Sequence, residues 1–61
     1  MYKQKYFGHK DTMKTIENEA TKMGLKFAYR LGSLCSEMRD LLIIANDETE
    51  IAELNFRVFG V

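Results

Sequence analysis

Two periods of apolar residues follow one another along this chain, and the points where one gives way to the other mark its elements. Tyr2, Gln4 and Tyr6 fall on one side of an extended chain and Lys3, Lys5 and Phe7 on the other, a period of two with aromatics that suit a pleated surface. Gly8 punctuates this first strand. Met13, Ile16, Ala20 and Met23 then recur at spacings of three, four and three, which places them on one helical face. Asp11 stands at the N-cap position and Gly24 supplies the left-handed residue that ends many helices. The pattern predicts a helix over 12–23, with Glu17 and Glu19 ahead of Lys22 in the order that suits the helix dipole.

After Gly24 the period falls to two. Leu25, Phe27, Tyr29 and Leu31 alternate with Lys26, Ala28 and Arg30, which reads as a second strand. A continuing helix competes, because Phe27 lies four residues beyond Met23, but a helix through Gly24 gives up about 1 kcal/mol relative to alanine.

From Gly32 to Ala45 two patterns overlap. Leu34, Met38, Leu41 and Ala45 would line a helix capped by Ser33, whereas 41–45, with its adjacent isoleucines, reads as a buried strand. The residues beyond Ala45 favour a strand over 38–45. Asn46, Asp47, Glu48 and Thr49 make a polar turn, and Ala52, Leu54, Phe56 and Val58 then alternate with Glu53, Asn55 and Arg57, so a hairpin is the simplest arrangement.

The expected fold class is α+β: a small antiparallel sheet of three or four strands with one helix on one face, in the order β-α-β-β-β, with β-α-β-α-β as the alternative. The other sheet face is then uncovered. Lys26, Arg30, Glu53, Asn55 and Arg57 would furnish it with polar groups, while Leu42 and Ile44 alternate onto it opposite Leu41 and Ile43. An apolar patch on so small a domain favours an interface.

Length sharpens that expectation. Sixty-one residues leave room for a single small domain, 1–61, and such a domain buries only about 60% of its unfolded surface. Nothing within the chain supplements the core. Cys35 is the sole cysteine and His9 the sole histidine, far from it in sequence, so neither an internal disulfide nor a Cys/His metal site can be assembled. Self-association or a partner remains. The apolar content of 46% is too high for a disordered chain. The longest apolar run, 41–45, falls far short of the roughly 20 residues of a membrane span. With no basic leader at its start, the expectation is a cytoplasmic protein that does not enter the membrane.

The zero net charge conceals an asymmetry. Residues 1–31 carry seven basic side chains against three acidic, and residues 32–61 two against six, so the halves are +4 and −4. Either the halves interleave in one sheet, with charges pairing across strands, or the surface is dipolar and orients a partner.

Catalytic chemistry finds little support. His9, in Gly8-His9-Lys10, has no evident residue to orient it, and Cys35 beside Leu34 reads as a small buried hydrophobe. Asp47, Glu48, Glu50 and Glu53 lack the spacing and central glycine of a calcium loop, and the four glycines form no phosphate-binding loop. No enzyme, cofactor or metal is expected. Aromatics interleaved with lysines, at 2–7 and at 26–30, suggest base stacking beside phosphate contacts. Phe27, Ala28 and Tyr29 resemble the aromatic strand motif of RNA-recognition domains, although Lys26 stands where that motif has glycine and Gly32 where it has an aromatic. Phe27 and Tyr29 also share the strand side of Leu25 and Leu31, which the helix should cover.

The lysine- and tyrosine-rich opening resembles, in general character, small accessory proteins of bacteriophages, which implies an inhibitor or adaptor acting in the host cytoplasm. The function expected is non-catalytic binding of a protein, either a host protein or a second copy in a homodimer. A nucleic-acid-binding module using the basic first half is the alternative. The partner-binding candidates are Leu42, Ile44, Phe59, Arg57, Lys26 and Arg30. A final strand over 50–59 would leave its outer edge free for strand addition, and a two-fold pair would hide Leu42, Ile44 and Phe59 together.

Overall fold

The computed structural model describes residues 1–29 and 37–60. Along them run β1 (Tyr2–His9), α1 (Lys10–Lys22), β2 (Lys26–Tyr29), β3 (Met38–Ala45) and α2 (Glu48–Phe59). The protein is α+β, with a three-stranded antiparallel sheet. β3 lies between β1 and β2 and is antiparallel to both, so β1 and β2 run parallel, as a β-α-β unit split by the third strand.

Register decides which side chains face the helices. Tyr6, Leu41 and Tyr29 share one rung, and Gln4, Ile43 and Phe27 the next. Because side chains alternate along a strand, the intervening rungs Lys5-Leu42-Ala28 and Lys3-Ile44-Lys26 point to the other face. Both helices pack on the first face. Met13, Ile16 and Ala20 of α1, Leu25, the β3 residues Leu41, Ile43 and Ala45, and Ile51 and Leu54 of α2 form one buried cluster. Tyr2, Tyr6, Met23 and Val58 pack at its rim.

α1 carries the predicted apolar stripe, but it starts two residues before the predicted Thr12. His9, not Asp11, is the N-cap: the Asp11 backbone N–H donates to its Nδ1 at 3.1 Å. Asp11 instead lies in the first turn, where a carboxylate suits the positive end of the dipole. The far end is as expected. Gly24 has φ +77°, and the Leu25 and Gly24 N–H groups donate to Ala20 O at 2.9 Å and Thr21 O at 3.0 Å, the paired bonds of a Schellman ending. This turn separates α1 from β2, so the continuous helix does not form. β3 spans the predicted 38–45, while Arg30, Leu31, Gly32, Ser33, Leu34 and Cys35 lie outside the described residues.

The C-terminal segment is a helix, not the predicted strand. Asp47 caps it, accepting from the Glu50 N–H at 3.1 Å, while the Glu50 carboxylate accepts from the Asn46 N–H at 2.7 Å. This reciprocal arrangement is a variant of the capping box. The apolar spacing that matters is Ile51, Leu54 and Val58, three and four residues apart. Of the alternating set Ala52, Leu54, Phe56 and Val58, Ala52 and Phe56 face solvent. Gly60 closes the helix at φ +79°. Glu53, Asn55 and Arg57 are therefore helical and furnish no sheet face, and the expected free edge at 50–59 does not exist.

Candidate functional site

The sheet face turned away from the two helices has no described element packed on it. Its central stripe comes from β3, where Met38, Asp40, Leu42 and Ile44 alternate with the helix-facing residues. On one flank β1 contributes Lys3, Lys5 and Phe7, and on the other β2 contributes Lys26 and Ala28. Leu42 and Ile44 are only partly buried, and Phe7 is 65% exposed. Cross-strand neighbours on one face stand about 5 Å apart at Cβ, so the aliphatic stems of the lysines flank the two apolar side chains while the ammonium groups reach water. Lys3, Lys5 and Lys26 make no ion pair among the described residues. A cleft of about 380 Å³, lined in part by Lys5, Ala28, Asp40 and Leu42, opens beside the stripe.

Of the six candidates from the sequence, Lys26, Leu42 and Ile44 come together here. Phe59 and Arg57 do not, because α2 lies in the opposite layer. Arg57 is held by Glu53, with Nη2 at 2.9 Å and Nε donating at 3.0 Å, and lies 3.8 Å from Glu19. Arg30 lies outside the described residues. Lys3, Lys5 and Phe7 are the residues that the partner-candidate set misses. Their signal is the alternation at 2–7, once β1 is placed beside β3.

The sheet does interleave the two charged halves, since β1 and β2 from the basic half flank β3 from the acidic half. Among the described residues, however, Lys3, Lys5 and Lys26 of the flanking strands form no ion pair with β3. Ion pairs that join the two halves include those of His9 and Lys10 with Glu37 and of Arg57 with Glu19. Lys3, Lys5 and Lys26 thus give the open face a cationic rim, with Asp40 of β3 as the acidic side chain in its central stripe.

On the helix-covered side the polar groups serve one another. Tyr6 donates to Asn55 Oδ1 at 2.7 Å, and burial, with Tyr2 nearby, raises the Tyr6 pKa above its ordinary 10.0. Tyr29 donates to Glu17 Oε1 at 2.7 Å. Burial first, and then the Glu17 carboxylate, push the Tyr29 hydroxyl from 10.0 up to about 12. The same hydrogen bond is the main cause holding Glu17 below the usual carboxylate range. Phe27 meets Tyr29 edge to face with centroids 6.1 Å apart.

His9 is oriented, contrary to the reading of an unheld loop histidine. Its Nδ1 accepts from Asp11 N–H, so the proton is assigned to Nε2, 3.3 Å from Glu37 Oε2. No group of three or more His, Cys, Asp or Glu side chains able to hold a metal occurs among the described residues. No described helix is long and apolar enough to cross a membrane.

Comparison with protein-family models, with curated proteins and with solved structures finds no match.

Proposed function

We propose that this protein is a non-catalytic binding module that associates stoichiometrically with another protein through its open sheet face, as an inhibitor or adaptor does. The observation that carries this reading is the composition of that face. Leu42 and Ile44 form an apolar centre, and Lys3, Lys5 and Lys26 surround it without ion pairs among the described residues. An apolar centre with a charged rim is the usual anatomy of a protein interface, and the sign of the rim selects an acidic partner. A second copy placed face to face would set these lysines against their equals, so the face favours a different protein over the homodimer.

Nucleic acid fits the face less well. Single-stranded binding uses aromatic side chains as stacking platforms, yet Tyr2, Tyr6, Phe27 and Tyr29 all lie on the helix-facing side. Only Phe7, among the aromatics of the described strands, is on the open face. The test is affinity capture by the wild type and by the double variant Leu42→Ala, Ile44→Ala at matched thermal stability. A protein retained by the first and lost from the second is expected. Equal retention removes the reading, and a salt-sensitive shift of a labelled oligonucleotide replaces it with the nucleic-acid alternative.

A further inference from the structure

β1 is an edge strand. It pairs with β3 along all eight residues from Tyr2 to His9, and no other described strand lies on its outer side. In an antiparallel pair every second residue turns its N–H and C=O away from the partner, so this side presents backbone groups that no described strand pairs, with the Lys5 carbonyl accepting from the exposed Gln4 side chain at 3.2 Å. The opposite edge, β2, has four residues.

α2 also turns an apolar flank toward the β1 side. Tyr6 of β1 reaches Asn55, and Glu19 of α1 reaches Arg57, so these two α2 residues mark the flanks that look toward β1 and toward α1. At about 100° per helical residue, Phe59 and Ala52 lie roughly 40° and 60° round from Asn55, on the side away from buried Ile51 and Leu54. Their flank is the one on the β1 side, and Phe56 stands at its outer crest. Phe56 and Phe59 are 64% and 51% exposed, and neither belongs to the core cluster.

We propose that this edge and flank accept an extended segment of another protein as an added strand, and that the segment alternates apolar with acidic residues. The proposal goes beyond the open-face association argued above and does not require it. Side chains of an added strand alternate between the two sheet faces. Those on the helix side meet Ala52 and Phe59, and those on the open side come beside Lys3 and Lys5. Opposite charges at facing positions stabilise an antiparallel pair and like charges destabilise it. The same rule disfavours one central pairing with a second copy: two β1 strands crossing at Lys5, with both helix layers on one side, bring Lys5 against Lys5.

The test is a titration of isotope-labelled protein with a synthetic peptide of the length of β1 that alternates valine and glutamate. A valine and lysine peptide is the control, and amide exchange and chemical shifts are the readouts. The acidic peptide is expected to slow exchange of β1 amides, to shift Ala52 and Phe59, and to bind about tenfold more tightly than the basic one. Lys3→Glu with Lys5→Glu should reverse the preference. Absence of β1 protection at millimolar peptide, or equal binding of both peptides, overturns strand addition. Shifts confined to Leu42 and Ile44 overturn it too, while leaving the open-face function standing. Protection of β1 with partner capture insensitive to Leu42→Ala and Ile44→Ala supports strand addition and removes the open-face route.

Discussion

Ile43 and Ile44 are adjacent and chemically identical, yet the first is fully buried beneath two helices and the second is only partly buried on the open face. The difference comes from the period of two along β3, which sends neighbours to opposite sides. On the covered side Ile43 belongs to the cluster of Ile16, Leu41 and Leu54, and there the isoleucine is a matter of stability. On the open side Ile44 stands between Lys3 and Lys26, where no described helix covers it. A strand apolar on both faces in a two-layer domain is thus evidence of a binding surface, because folding alone requires only one apolar face.

Truncating each isoleucine separates the two faces by the size of the loss. Ile43→Ala should lower stability by about 3 kcal/mol through lost burial and a cavity. That is a large share of the roughly 3 to 9 kcal/mol a domain of this length holds. Ile44→Ala should lower it by less than about 1 kcal/mol. Urea unfolding of the two variants checks the contrast, and similar losses would mean that the open face is covered in solution.

The helices that make one face covered depend on their ends, and α1 can be tested at Gly24. A Cβ there meets no atom within 4 Å, so Gly24→Ala carries no clash and its effect comes from the left-handed backbone at φ +77°. The expected loss is about 1 to 2 kcal/mol. Thermal melts that show stabilisation would contradict the Schellman ending. For α2 the corresponding change is Asp47→Ala, which removes the acceptor for the Glu50 N–H and should cost about 1 kcal/mol. The far-ultraviolet dichroism of this variant should show an earlier loss of helix, while β1 amides keep their exchange protection.

These two ends also show what the sequence can reveal. α1 is legible because period, capping and Gly24 agree, and β3 because Ile43 and Ile44 fall within a short apolar run bounded by a polar turn. α2 misleads because Leu54 and Val58 satisfy a period of two and a period near 3.6 equally. Its deciding signal is local: Asp47 followed three residues later by Glu50, just before Ile51, is a helix start, whereas a hairpin reading sees only a polar turn. The error carries into the site. A strand over 50–59 sets Phe59 and Arg57 beside Ile44 and takes the free edge that belongs to β1. Strand order is the missing information, since Lys3 and Lys5 join Leu42 and Ile44 only when β1 pairs with β3, a contact between distant parts of the chain.

The smallest expected effect lies at the rim of the covered face, where Tyr29 donates to Glu17. Tyr29→Phe keeps the ring and removes the hydrogen bond, so at neutral pH it should cost less than about 1 kcal/mol, given its partial exposure. Its dependence on pH is more telling. The native hydroxyl keeps its proton up to about 12, whereas the ordinary value is 10.0. The folded state therefore holds a proton that the unfolded chain has released, and wild-type stability is fully present below pH 10 and declines as pH rises toward 12. Tyr29→Phe lacks this part of the decline and keeps the part that comes from Tyr6, whose pKa is also raised. On the acid side the sign reverses. Glu17 is held below its ordinary 4.5 chiefly by Tyr29, so the wild type has stability that is present above that value and is lost as pH falls through the lowered one. The variant should show less of that loss. Urea midpoints of the two proteins should draw together at low pH, and at high pH the wild type should lose its advantage and fall to or below the variant; parallel curves would show that the bond to Glu17 does not form in solution.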